Sequence, residues 1–267
     1  TARMLRRLRD AIPPEWLSAY HRVLSRLAAA RYGHPSEKLV IIGVTGTKGK
    51  TTTSYLIAKA LEASGYPTGC TTTALFKVGE EEWLNDTKMT MLGRFQLQKM
   101  LRRMVKSGCR YAVVETSSQG VLQHRHSDIN YDVVVFTNLT PEHLEAHGGF
   151  EAYKQAKVAF FEHAASSPRK HLHGQKLDKV AVINATDRSA RDFALSKFDR
   201  IVWYSHVSGA GDIMARDLDL SAKGSLFTVR GQAFKLQLPG LVNVDNALAA
   251  IAVAEVLEIP LSKVAAA

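Results

Sequence analysis

Leu39-Val40-Ile41-Ile42-Gly43-Val44-Thr45-Gly46-Thr47-Lys48-Gly49-Lys50-Thr51-Thr52-Thr53 decides how the rest of this chain is read. An apolar run suited to a buried strand enters a glycine-rich turn, and a stretch suited to a helix leaves it. Such a junction aims backbone N–H groups and a helix N-terminus at one point, where a phosphate chain can be held. The order Gly49-Lys50-Thr51 assigns the parts: Lys50 reaches the β- and γ-phosphates, and the Thr51 hydroxyl ligands Mg²⁺. The spacing departs from the common P-loop, because Val44 stands five places before Gly49 while glycines stand at 43 and 46. A nucleoside triphosphate is the expected ligand, cradled by Gly46, Thr47, Lys48, Gly49, Lys50, Thr51 and Thr52.

Outward from this junction, apolar runs at 39–44, 110–115, 132–137, 179–184 and 200–204 read as strands. Between them, 3.6-residue periodicity predicts helices over 50–64, 94–107, 151–164, 187–197 and 244–257. The alternation gives an α/β class, a mostly parallel sheet with helices on both faces. Over 211–238 the pattern shifts to short alternating runs around Arg230-Gly231, which predicts a small antiparallel ribbon on the sheet edge. In such sheets chemistry gathers at the carboxyl ends of strands. Two polar stretches fall there: Glu115-Thr116-Ser117-Ser118-Gln119-Gly120, and Thr137-Asn138-Leu139-Thr140-Pro141-Glu142-His143-Leu144-Glu145-Ala146-His147-Gly148.

The chain has 267 residues and 46% hydrophobic composition, enough for a sizeable core. Cys70 and Cys109 stand far apart, with neither a disulfide framework nor a zinc spacing, which fits a reducing cytoplasm. No apolar run approaches the ~20 residues of a spanning helix, and no secretory signal is read at the start. Half of the +10 net charge sits in residues 1–31, where seven arginines face Asp10 and Glu15. After Pro13-Pro14 a helix is predicted with Leu17, Tyr20, Leu24 and Leu27 along one face. We expect that face to pack on the main domain with its arginines in water; weak contact with an anionic membrane surface is the alternative. Nucleic acid is not an expected partner, because no interleaved aromatic pattern accompanies the arginines.

Taken together, the stretches from about 38 to 258 resemble the central ATP-binding domain of the Mur ligases, most closely the type that adds the third residue of the peptidoglycan stem peptide. That family's loop reads Gly-Thr-Asn-Gly-Lys-Thr-Thr, which accounts for the spacing; here Lys48 replaces the Asn. The resemblance implies ATP and two Mg²⁺ as cofactors. It makes Thr51 and Glu115 ligands of one ion and His143 a ligand of the second, and it makes Lys157 the lysine that carries a CO₂-derived carbamate. Around His143 the family has Asp-His-Leu-Asp-x-His where this chain has Glu142-His143-Leu144-Glu145-Ala146-His147, each carboxylate one methylene longer. Lys50, His143 and Lys157 are then the catalytic set. Read from sequence alone, Lys157 is an ordinary helical lysine. The segment from Pro239 to Ala250 resembles the end of the family domain, with Asn246 and Asn243 placed to contact adenine, unless they only cap the helix. Thr90, Ser117, Gln123 and Arg125 match positions that hold the nucleotide-linked muramoyl peptide, although Met91 and Leu92 replace the rest of a Thr-Thr-Pro motif.

What the resemblance implies is an ATP-dependent ligase of peptidoglycan precursor synthesis, adding an amino acid to a UDP-N-acetylmuramoyl peptide through an acyl phosphate. We expect a basic helical segment at 1–37, the central domain at 38–258, and at 259–267 the start of a linker to a further ligase domain. A domain for the uridine nucleotide is likewise expected outside this sequence. The choice between diaminopimelate and lysine lies in the part not given. Three other readings stand beside it: a folylpolyglutamate-type ligase, a nucleotide switch that does not ligate, and a membrane-associated scaffold.

Overall fold

The computed structural model describes residues 13–141 and 149–267. Its central sheet has nine strands in the order β11-β10-β9-β6-β1-β5-β2-β3-β4 among the described residues. β1 (Val40–Thr45) lies in the middle, parallel to β5 (Tyr111–Glu115) on one side and β6 (Val133–Phe136) on the other. After a short antiparallel pair, β7 (His171–Leu172) with β8 (Gln175–Lys176), the strands β9 (Val180–Asn184), β10 (Arg200–Ser205) and β11 (Ile213–Met214) extend the parallel sheet beyond β6. Beyond β5 comes β2 (Thr68–Thr71), still parallel, and then β3 (Leu75–Val78) and β4 (Glu81–Leu84) as an antiparallel hairpin.

The near-continuous apolar runs of the inner strands follow from burial on both faces. Val40, Ile42 and Val44 join one apolar cluster with α2 (Lys50–Glu62) and α6 (Leu241–Val256). Leu39 and Ile41 point the other way, into a second cluster with α3 (Arg94–Lys106) and α5 (Phe150–Ser166). That two-residue alternation is the pleat of β1. Gly43 lets α5 come close: a Cβ there would lie 2.5 Å from the Phe160 ring. α1 (Pro14–Arg31) packs beside α3, burying Ser25, Ala28 and Ala29. α4 (Ser118–Leu122) follows β5, and α7 (Leu261–Ala266) closes the described chain.

Three expectations need correction. The helix predicted over 187–197 is a set of turns with a short 3₁₀ segment at Ala190–Phe193. Asp187 accepts from the Ser189 and Leu139 N–H groups, and Asn184 accepts from the Thr186 N–H, so these side chains hold the start of the segment in turns. The predicted ribbon is a separate three-stranded sheet, β12 (Arg216–Ser221), β13 (Gly224–Val229) and β14 (Gln232–Leu236), held on the core by Phe227, Val229 and Phe234. On α1 the predicted stripe divides: Leu17 and Leu24 are half-buried, whereas Tyr20 and Leu27 are exposed.

Candidate active site

The turn between β1 and α2 is built around two crowded glycines. Gly49 has φ 78°, and a Cβ there would come within 2.4 Å of the Asn246 Oδ1; at Gly46 one would collide with the Thr137 hydroxyl. The end of β6 braces the turn from below. Asn138 Oδ1 accepts from the Lys48 N–H at 2.8 Å, the Asn138 carbonyl accepts from the Thr47 N–H at 2.8 Å, and the Thr137 hydroxyl donates to the Lys48 carbonyl at 2.8 Å. A loop held at that many points is pre-organised for a ligand.

Glu115, at the carboxyl end of β5, is 1% exposed. Its oxygens accept from the Thr51 hydroxyl at 2.9 and 3.1 Å, from the Thr73 N–H at 2.8 Å and from the Thr73 hydroxyl at 3.1 Å. Burial still raises its pKa above the ordinary carboxylate value, against those donors and the nearby Lys50 charge. A desolvated carboxylate beside a threonine hydroxyl is a hard-oxygen donor set, and these two residues fit Mg²⁺. Lys50 Nζ donates to the Thr47 carbonyl at 2.8 Å.

Opposite stands α5. Lys157 is 1% exposed, and its Nζ donates to the Gly46 carbonyl at 2.8 Å while lying 4.5 Å from the centre of the Tyr153 ring. The Tyr153 hydroxyl reaches the Thr47 hydroxyl at 3.3 Å. Thr47, Lys50, Thr90, Ser117, Arg125 and Lys157 all line one open cavity of about 390 Å³. Arg125 is held by Gln123, whose Oε1 accepts from Nη2 at 2.6 Å and from Nε at 3.0 Å, and by the Met91 carbonyl. Burial lowers the Arg125 pKa. Gln123 thus stands behind the wall as the anchor of the guanidinium. Ser117 caps α4, its hydroxyl accepting from the Gly120 N–H at 3.1 Å.

Asn246 lies outside the cavity lining. It is buried behind Gly49, accepting from the Thr53 hydroxyl at 3.0 Å and donating to Asn243 Oδ1 at 3.2 Å, so it ties α6 to α2. Asn243 Nδ2 donates to the Pro239 carbonyl at 2.8 Å. His143 belongs to Glu142 through Gly148, which lie outside the described residues. Sequence reasoning missed three members of the site. Asn138 stood inside a quoted stretch and Tyr153 inside a predicted helix, neither with an assigned role, and Thr73 follows β2, a strand too short and mixed to register.

A glycine turn between a central parallel strand and a helix, with a carboxylate at the end of the neighbouring strand, defines a P-loop domain. Residues 44–254 match the model of the Mur ligase middle domain, and the chain belongs to the Mur ligase family. It is 40% identical over 258 residues to a UDP-N-acetylmuramyl-tripeptide synthetase of Roseiflexus sp. (strain RS-1), covering 91% of this chain and 49% of that protein. It is 34% identical over 263 residues to a UDP-N-acetylmuramoyl-L-alanyl-D-glutamate--2,6-diaminopimelate ligase of Halalkalibacterium halodurans, covering 97% of this chain and 52% of that protein. A solved structure of a ligase of that second name superposes with TM-score 0.72 at 33% identity, over 86% of this chain and 45% of that one. The chain spans about half the length of the curated relatives it matches.

Proposed function

We propose that this chain is the nucleotide-binding half of a cytoplasmic ATP-dependent ligase that joins an amino acid to a UDP-N-acetylmuramoyl peptide in peptidoglycan precursor synthesis. The single observation that carries the reading is the convergence of Lys50, Lys157 and Arg125 on one cavity at the carboxyl end of β1 and β5, with Thr51, next to Lys50 in the chain, bonded to the buried Glu115. The relatives named as muramoyl peptide ligases support this acceptor over a folate. A switch that only binds nucleotide has no use for a buried lysine and an anchored guanidinium on the facing wall.

In this mechanism the γ-phosphoryl group passes to the acceptor carboxylate: an O–P bond forms to the carboxylate oxygen as the bond from the γ-phosphorus to the bridging oxygen breaks and ADP leaves. The amine of the incoming amino acid then attacks the acyl carbon, the amide forms, phosphate departs and the amine proton passes to solvent. Lys50 neutralises the phosphates while the N–H groups of the turn orient them. Arg125, held open by Gln123, orients an anionic group of the acceptor, with Thr90 and Ser117 beside it. Thr51 and Glu115 would hold one Mg²⁺ and His143 with Lys157 a second, the ions supplying charge neutralisation at the phosphates. For that role Lys157 takes up CO₂, an N–C bond forming as the ammonium loses two protons to solvent, so that a cationic head becomes an anionic oxygen donor. The adenine lies toward the first turn of α6, where Asn243 can exchange its bond to the Pro239 carbonyl for the base edge and Asn246 fixes the helix.

The test is product formation by the natural-length protein supplied with ATP, the muramoyl dipeptide and either diaminopimelate or lysine, with folate as a competing acceptor. Amide product and ADP in equal amounts, both abolished by Lys50→Ala, are expected. Unchanged turnover in that variant, or product from folate alone, overturns the reading.

A further inference from the structure

α1 is inside out. The side it turns to the core carries Ser25, Ala28 and Ala29, all buried, with Leu17 and Leu24 half-buried, while four large apolar residues point away: Trp16 is 73% exposed, Tyr20 57%, Val23 54% and Leu27 55%. Their spacing places all four on one line along the outer face of a helix about 27 Å long. One turn beyond Leu27 the same line reaches Arg31. There it opens into a groove of about 740 Å³ between the ends of α1 and α3, lined by Arg31, Lys38, Lys99, Arg102, Arg103 and Lys106 and by no carboxylate. Arg103 reaches out of this set to Glu81 at 2.6 Å. Arg22 and Arg26 flank the stripe, both exposed.

We propose that this face is a docking surface for an anionic lipid bilayer, with α1 lying in the headgroup layer and the basic groove facing the lipid phosphates. Exposed aromatic and aliphatic side chains on a helix with arginines beside them suit an interface that is apolar below and anionic above. Each cation near a negatively charged membrane surface adds attraction, and none in the groove lining is cancelled by an acid of the lining itself. A second copy of this chain is a poor occupant. A twofold contact through the stripe would set the arginines of one helix against those of the other, on a chain whose net charge is +10. Crossing the membrane is a different matter: among the described residues no helix is long and apolar enough to do it. The surface is independent of the ligase chemistry and would hold precursor synthesis close to a membrane.

The experiment is flotation of the full chain with vesicles of phosphatidylcholine alone and of phosphatidylcholine with phosphatidylglycerol in equal parts. At low ionic strength the expected partition onto the anionic vesicles exceeds that onto neutral ones by about tenfold or more, and added salt releases the protein. Trp16→Ser with Leu27→Ser, and separately Arg22→Gln with Arg26→Gln, should each lower partition by about tenfold without moving the melting temperature, since these side chains are exposed. Equal partition onto both vesicles overturns the proposal. So does wild-type partition by the Trp16/Leu27 variant, which would reduce the effect to unspecific charge. A dimer in sedimentation velocity that this variant abolishes would show the stripe to be a protein interface, as would a Trp16 shielded from acrylamide without vesicles in the natural-length protein.

Discussion

Thr51 and Glu115 come together across 64 positions of sequence, the threonine hydroxyl 2.9 Å from one carboxylate oxygen and 3.1 Å from the other. One residue opens the helix after the glycine turn, and the other ends the neighbouring strand. Parallel pairing of β1 with β5 is what joins them, Val44 lying opposite Glu115 in the register.

Because the pair offers oxygen donors with a charge that burial disfavours, Glu115→Gln should weaken nucleotide binding only when Mg²⁺ is present. Calorimetric titration with a non-hydrolysable ATP analogue should show a loss of at least about tenfold with Mg²⁺. With the ion chelated, wild type and variant should bind alike. A variant that keeps the full Mg²⁺-dependent affinity would remove Glu115 from the ion.

At the opposite end of the sheet, Asp132 holds two buried ammonium groups, Lys170 Nζ at 2.5 Å and Lys179 Nζ at 3.5 Å, and accepts from the Ile41 N–H at 2.8 Å. Burial pushes Lys179 down to about 8 even beside that carboxylate. Removing the acid leaves the two cations buried without their counter-charge, so Asp132→Ala should cost about 3–5 kcal/mol in urea unfolding. Asp132→Asn, which can still accept from Ile41, should cost less. Equal stability of Asp132→Ala and wild type would refute the triad as a support of the fold.

Most of the parallel sheet was legible, since strands buried on both faces write continuous apolar runs, as Val133-Val134-Val135-Phe136 does. The hairpin β3–β4 was not, because Glu80, Glu81 and Glu82 mask a strand whose partners lie at the sheet edge. The missed 187–197 turns have a related cause: Asp187 and Asn184 act through side-chain bonds that periodicity does not register. In the site, the glycine turn and Glu115 could be read directly. Arg125, singled out through the family resemblance, lines the cavity, but its anchoring by Gln123 and the Met91 carbonyl is tertiary. α1 shows the limit most plainly, because a helical stripe states which residues share a face and not which way that face turns.

Stability should also fall with mild acidification through a cluster of imidazoles behind Arg125. His126 is 6% exposed, its ring 5.0 Å from His163 and 6.3 Å from His124 between centroids, and its Nδ1 is buried without a hydrogen-bond partner among the described residues. Burial first, and then the charges of His163 and His124, hold its pKa well below the ordinary 6.5. A depressed value means that the unfolded chain takes up the proton first, so the stabilisation is full above 6.5 and is lost as pH falls from there toward the folded value. Replacing His126 with Leu should flatten the melting temperature against pH between neutrality and mild acid. An unchanged slope would assign the acid sensitivity to other groups.

Lys157 gives the most direct test of the chemistry on α5. Its Nζ is buried against the Tyr153 ring and the Gly46 carbonyl, inside the cavity that also holds Lys50. Left as an ammonium, it adds a second positive head where the proposed second Mg²⁺ would be held, and the two would repel. As a carbamate it contributes negative oxygens of the kind Mg²⁺ prefers. Lys157→Arg keeps the cation and the length but cannot take up CO₂, so ligation by the natural-length protein should fall by about 100-fold or more, while melting temperature changes little. Isotopically labelled bicarbonate should give the wild type one carbamate carbon signal that Lys157→Arg lacks. Full turnover by the arginine variant would show that positive charge alone suffices at this position, and the second ion would then need a different ligand.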